Sequence, residues 1–186
     1  VMAHILCNQE SVRALELNSR IHEIAFETGD AIDDLTISGH EFQFFVQAKR
    51  TISLSELEDS EYSSVISQFV SQYVSRTKTQ QRYILATSPS SSSRITKDLR
   101  KITTAARLNE NWTKNPLTKN ESDALEKTKK LIRHHYKEQA TKEMGDNDLL
   151  QVMKRIHVAV LDIEEGGALE QAMFFLCPLF QSLLQG

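Results

Sequence analysis

Asp34, Gln47 and Lys49 are the residues whose types and spacing point to chemistry. Asp34 opens Asp34-Leu35-Thr36-Ile37, which alternates polar and apolar. Gln47 and Lys49 lie two apart in a second alternating stretch, Phe42 to Lys49, so their side chains share one face of a strand. A carboxylate such as Asp34 fixes Mg²⁺ (or Mn²⁺); Mg²⁺ takes about six oxygen ligands at roughly 2.0–2.1 Å and keeps several waters. The amide oxygen of Gln47 is a second candidate ligand and the carbonyl of Ala48 a third. The Lys49 ammonium can hold the attacking water or neutralise charge growing on a phosphate. A bound metal lowers the pKa of its water and polarises a phosphoryl oxygen, so this spacing suits metal-dependent phosphodiester cleavage.

Such a site needs a scaffold. Ser38-Gly39-His40-Glu41 has turn chemistry, with Gly39 free to take positive φ. The two alternating stretches therefore predict a β-hairpin with one face in the core. Phe42, Phe44, Val46 and Ala48 lie on one side, and Gln43, Phe45, Gln47 and Lys49 on the other. Residues 3–19 read as a helix, and Ile21 to Phe26 as a strand leading into a turn at Thr28-Gly29-Asp30. Ser60 to Arg76 is an amphipathic helix with a stripe of Val65, Ile66, Phe69, Val70, Tyr73 and Val74. Gln68 and Gln72 on its flank are either solvated or support the site. A buried strand at 82–87 ends in the serine-rich loop 88–93, followed by a helix at 94–107 and an irregular stretch to 120. A long basic helix, 122–142, begins near Glu121 or Ser122. A helical piece at 148–155, a strand at 157–163 and a last helix from Gly166-Gly167 to about Leu184 complete the order. The expectation is an α/β fold, a mixed sheet flanked by helices with additional C-terminal helices, in one domain spanning 1–186.

The stretches Ile32-Asp-Asp-Leu-Thr-Ile37 and Phe44-Phe-Val-Gln-Ala-Lys49 resemble the PD-(D/E)xK nuclease superfamily in its QxK form. Val46-Gln-Ala-Lys-Arg50, followed by the segment 60–73, is similar to the double-stranded-DNA nuclease domains placed ahead of ATPase modules in bacterial anti-phage STAND proteins. Related domains occur in endonucleases activated by cyclic oligonucleotides. The resemblance covers about residues 20–90. It implies a restriction-endonuclease-like core of helix, three-stranded meander, helix and strand. It also implies catalysis at Asp34, Gln47 and Lys49, and Mg²⁺ or Mn²⁺ held by Asp34, Gln47 and Ala48. The substrate implied is double-stranded DNA. A homo-oligomer assembled through downstream ATPase or sensor domains, in the bacterial cytoplasm, would switch the activity on. Gln47 in place of the usual acid removes a negative charge, so another carboxylate is wanted: Asp33, Glu27, Glu23, or Glu10 or Glu16 from the first helix. Asp33 competes with Asp34, and strand alternation favours Asp34, which with Thr36 lies opposite Leu35 and Ile37.

Composition narrows the alternatives. The 186 residues are 40% hydrophobic and 25% charged, with a formal charge of −3, so no global basic signature is present. Charge is segregated, however: residues 94–143 hold 13 Lys/Arg and 7 Asp/Glu, between acidic ends. Lys127, Lys130, Arg133 and Lys137 in that segment are candidate DNA contacts, or else an ordinary solvated face. Two cysteines, Cys7 and Cys177, exclude a disulfide framework and a four-cysteine zinc module. The longest apolar run, Ala172 to Phe180, is about half a membrane span and contains Pro178. Neither GxxxxGK[ST] nor GxGxxG occurs. His134 and His135, adjacent on a helix, are expected to point apart on the surface. The chain reads as the N-terminal piece of a longer protein.

Overall fold

The computed structural model describes residues 21–26, 28–32, 34–75, 80–108 and 116–161. The expected first and last helices, both cysteines, and the candidate acids Glu10, Glu16, Glu27 and Asp33 lie outside the described residues. The chain order is β1 (Glu23–Phe26), β2 (Leu35–Ser38), β3 (Gln43–Lys49), α1 (Glu61–Val74), β4 (Gln81–Thr87), a π-helical segment (Arg94–Leu99) continuing as α2 (Arg100–Leu108), α3 (Lys119–Ala140), α4 (Asp146–Arg155) and β5 (Ile156–Val160). The fold is α/β, with a five-stranded mixed sheet in the order β1-β2-β3-β4-β5. β1, β2 and β3 form an antiparallel meander; β4 runs parallel to β3, and β5 parallel to β4. Among the described residues no helix is long and apolar enough to cross a membrane.

β3 is the central strand, and its burial differs from the hairpin expectation. Phe44, Phe45 and Val46 are all buried, at 6%, 1% and 5% exposure, so both faces are covered rather than one. A strand with a parallel neighbour sits where crossover helices pack, and such strands tend to be apolar on both sides. On the Phe45 face, Tyr83, Leu85, Ile156 and Val158 from β4 and β5 join Val65, Ile66, Phe69 and Val70 of α1 in the principal core. The stripe read from the sequence therefore does pack inward, although Val74 at its end is exposed. The other face carries a second cluster of Ile37, Phe44, Val46, Ile84 and Ala159, with Ile21 and Phe42.

Capping chemistry sets the helix starts. Ser60 caps α1, its side chain accepting from the Ser63 amide at 3.1 Å. α3 starts at Lys119, one turn earlier than the apolar pattern indicates. Thr118 and Glu121 form a reciprocal capping box there, and the Thr118 amide donates to Glu121 at 2.9 Å. A hydrogen bond from Lys101, reinforced by that amide, holds the Glu121 carboxyl below the ordinary carboxylate range.

Gly29 takes φ +76° in the expected turn, but Gly39 does not use positive φ. Its role is a close approach: a Cβ there would lie 2.1 Å from Cε1 of the Phe42 ring. Phe42 packs in the second cluster, so the ring cannot move without opening that cluster. Gly39→Ala is expected to cost about 1–3 kcal/mol, read as a lower urea midpoint at unchanged slope.

Candidate metal centre

The register of the meander decides which side chains meet. Leu35 pairs with Val46, so one step further along the ladder Asp34 faces Gln47. Directly opposed residues point to the same face of a sheet, which puts both tips on the Phe45 side. Asp34 Oδ2 accepts from Gln47 Nε2 at 2.5 Å and from the Ala48 amide at 2.7 Å. In a strand, the N–H and C=O of one residue point to the same side, so the Ala48 carbonyl faces the strand edge beside Asp34. Asp34, Gln47 and the Ala48 backbone are thus brought together as the spacing predicts. Gln47 is 4% exposed, and its Oε1 is a buried acceptor with no partner. Thr36 Oγ1, two residues along β2 on the same face, is likewise buried and unpartnered. An orphaned buried acceptor is costly, which makes this the place to look for an additional partner.

Lys49 lies two residues beyond Gln47 on the same face. Its ammonium is 3.5 Å from Glu61 Oε1, and the two side chains are 30% and 52% exposed. Glu61 is a carboxylate the sequence reading missed. It sits in the first turn of α1, 12 residues past Lys49, and only the return of that helix over the sheet brings it to the site. Of the candidate extra acids within the described residues, Glu23 does not reach. It pairs with Ser38 at the far end of β2, four residues from Asp34 and so roughly 13 Å along the strand. Gln72 is not solvated: it is 5% exposed, with Oε1 unpartnered. It lies eleven residues along α1 from Glu61, roughly 16 Å of helix, and belongs to the other end of the molecule.

The serine-rich loop 88–93 acts as a brace. Ser91 Oγ accepts from the Ile52 amide at 2.9 Å and shares a hydrogen bond with Thr87 Oγ1 at 2.5 Å. The Ser92 amide donates to the Ile52 carbonyl at 3.1 Å. These bonds tie the chain just after Lys49 to the end of β4, at the carboxyl edge of the parallel strands. Open α/β sheets commonly bind ligands at that edge.

The four basic candidates on α3 all carry acidic partners. Lys127 meets Asp123 at 3.2 Å, Lys130 meets Glu56 at 3.0 Å, Arg133 meets Asp146 at 2.8 Å and Lys137 meets Glu143 at 2.6 Å. The Glu143 contact raises the Lys137 pKa, with the hydrogen bond as its main cause. The helix face is therefore an ion-pair network rather than a bare cationic stripe. The histidines also depart from expectation. His134 and His135 do not diverge: their ring centroids are 4.9 Å apart, and His135 is buried at 7% exposure. His22 and His40, distant in sequence, meet with centroids 3.8 Å apart.

No protein-family model, curated protein or solved structure matches this chain. Function has to be read from the residues themselves.

Proposed function

We propose that this chain is a Mg²⁺-dependent endonuclease domain acting on double-stranded DNA. The carrying observation is the convergence of Asp34, Gln47 and the Ala48 backbone from adjacent strands, with the amide oxygen of Gln47 itself buried and unpartnered. The order of meander, α1 and parallel β4 supports a restriction-endonuclease-like core.

The donor set fits a hard divalent ion: one carboxylate, one amide oxygen and one backbone carbonyl are all oxygen ligands. Asp34, Gln47 and Ala48 would hold Mg²⁺ or Mn²⁺, which when bound supplies an acidified water and a polarised phosphoryl oxygen. Asp34 anchors the set, because the Ala48 amide locks its carboxylate at the mouth of the meander. Gln47 would present its amide oxygen to the ion by turning the amide, giving up the Nε2 hydrogen bond to Asp34. The Lys49 ammonium, on a side chain 30% exposed, would offer a proton donor and a positive charge beside the scissile phosphate. Glu61 places a carboxylate beside that ammonium, 3.5 Å away. The α3 ion pairs are mostly surface contacts worth about 0–1 kcal/mol each, weak enough for Lys127, Lys130, Arg133 or Lys137 to exchange a carboxylate for a DNA phosphate. Such a domain in a larger defence protein would be held in check until copies assemble.

A second reading has its own support. The Gln47–Asp34 hydrogen bond satisfies the carboxylate without any ion, and the α3 cations are already paired. A non-catalytic module with this fold, docking DNA or another copy, would look the same at those points. Plasmid nicking separates the two. Nuclease function predicts Mg²⁺-dependent relaxation of supercoiled plasmid, abolished by EDTA and reduced at least about 100-fold in Asp34→Ala. Absence of nicking by the intact chain under assembly-promoting conditions favours the docking module.

A further inference from the structure

We propose that His134, His135 and Glu138 of α3 form a second metal site, for one transition-metal ion of the Zn²⁺ class. One ligand atom from each lies within 4.8 Å of the others. Glu138 Oε2 is 3.2 Å from His135 Nδ1 and 3.4 Å from His134 Nε2. Bonds of about 2.0–2.2 Å in a tetrahedral shell put neighbouring ligand atoms roughly 3.3–3.5 Å apart, so two of the three separations already suit a bound ion. The third, between the two ring nitrogens, lies within 4.8 Å.

The remaining ring nitrogens carry the second observation. A ligating histidine characteristically donates its other N–H to an oxygen, which fixes the tautomer and the ring orientation. His135 Nε2 is 2.8 Å from the hydroxyl of Ser63, which is fully buried. Ser63 can accept as readily as donate, so the tautomer that frees Nδ1 for a metal costs no hydrogen bond. His134 Nδ1 is 3.6 Å from Glu58 Oε1, a carboxylate on the loop between Lys49 and α1. Both histidines thus have an oxygen behind the nitrogen that does not face Glu138. Adjacent helical residues ordinarily diverge; here His135 is anchored inward on α1 while His134 stays at the surface, 31% exposed, and the rings still meet at 71°.

Two imidazoles and one carboxylate suit Zn²⁺, Fe²⁺ or Ni²⁺ and disfavour Mg²⁺, which prefers oxygen throughout. Three protein ligands leave at least one position for water. Occupancy would tether the Glu58 loop to α3. The site shares no residue with Asp34, Gln47 or Lys49, so it stands whether or not the chain cleaves DNA.

The test is calorimetric titration of ZnCl₂ into the chelator-treated chain in millimolar Mg²⁺, with visible absorbance of the Co²⁺-loaded chain as a second probe. One ion should bind per chain, and Mg²⁺ should not compete. His134→Ala and Glu138→Gln, both at partly exposed positions where folding is retained, should each weaken Zn²⁺ at least about 100-fold and abolish the tetrahedral Co²⁺ bands. Absence of Zn²⁺ binding, or unchanged affinity in both variants, overturns the site.

Discussion

Lys49→Ala is expected to lower Mg²⁺-dependent plasmid cleavage at least about 100-fold while leaving the fold intact. The size follows from removing a single preorganised group that stabilises developing charge, which commonly costs 10²–10³ in rate. The selectivity follows from its surroundings. Among the described residues the Lys49 side chain pairs with Glu61 at 3.5 Å, and both groups are partly exposed to solvent. An exposed pair of this kind contributes about 0–1 kcal/mol, so the thermal midpoint should barely move. Asp34→Ala is a less clean probe, because it also frees the Ala48 amide and the Gln47 side chain. Measured side by side, nicking rates and circular-dichroism melts of the Lys49 variant give the decisive comparison. Full cleavage in a folded Lys49→Ala protein would remove Lys49 from the chemistry and with it the proposed mechanism.

Phe45→Ala should produce the largest loss of stability, about 3–5 kcal/mol. Phe45 is 1% exposed in the middle of the central strand and belongs to the principal core that joins the sheet to α1. Its ring centroid is 6.3 Å from that of Tyr83 on the neighbouring strand. Truncation leaves a cavity between two rigid layers that cannot collapse into it. Against a total of about 5–15 kcal/mol, the loss should drop the melting temperature by roughly 10 °C and disturb cleavage indirectly, since Gln47 and Lys49 share that strand face. Urea unfolding checks it. A loss below about 1 kcal/mol would mean that the Phe45 face is not the principal core.

These two variants bear on what could be read before the fold was known. Alternation alone placed Gln47 and Lys49 on one face of their strand and Asp34 with Thr36 on one face of theirs; strand period 2 is a local property of the backbone. The apolar stripe of α1 was equally readable, since its spacing is set by 3.6 residues per turn. The same alternation misjudged Phe45, assigning it to a polar face that proves to carry the principal core. The error is physical: polar neighbours mark a face as solvated only if nothing packs there, and α1 does.

By itself, then, the sequence determined the order of strands and helices among the described residues, the shared face of Gln47 and Lys49, and the inward stripe of α1. Tertiary structure alone decided that Asp34 stands opposite Gln47 and that Glu61 returns to Lys49. It also decided that the serine loop braces Ile52, that acids answer the basic side chains of α3, and that His135 turns inward beside His134. The division follows the range of the forces. Periodicity and capping act over two to four residues and are written in neighbouring side chains. Ladder register, helix docking and ion pairing join segments tens of residues apart, and are settled only when the whole chain buries its apolar surface at once.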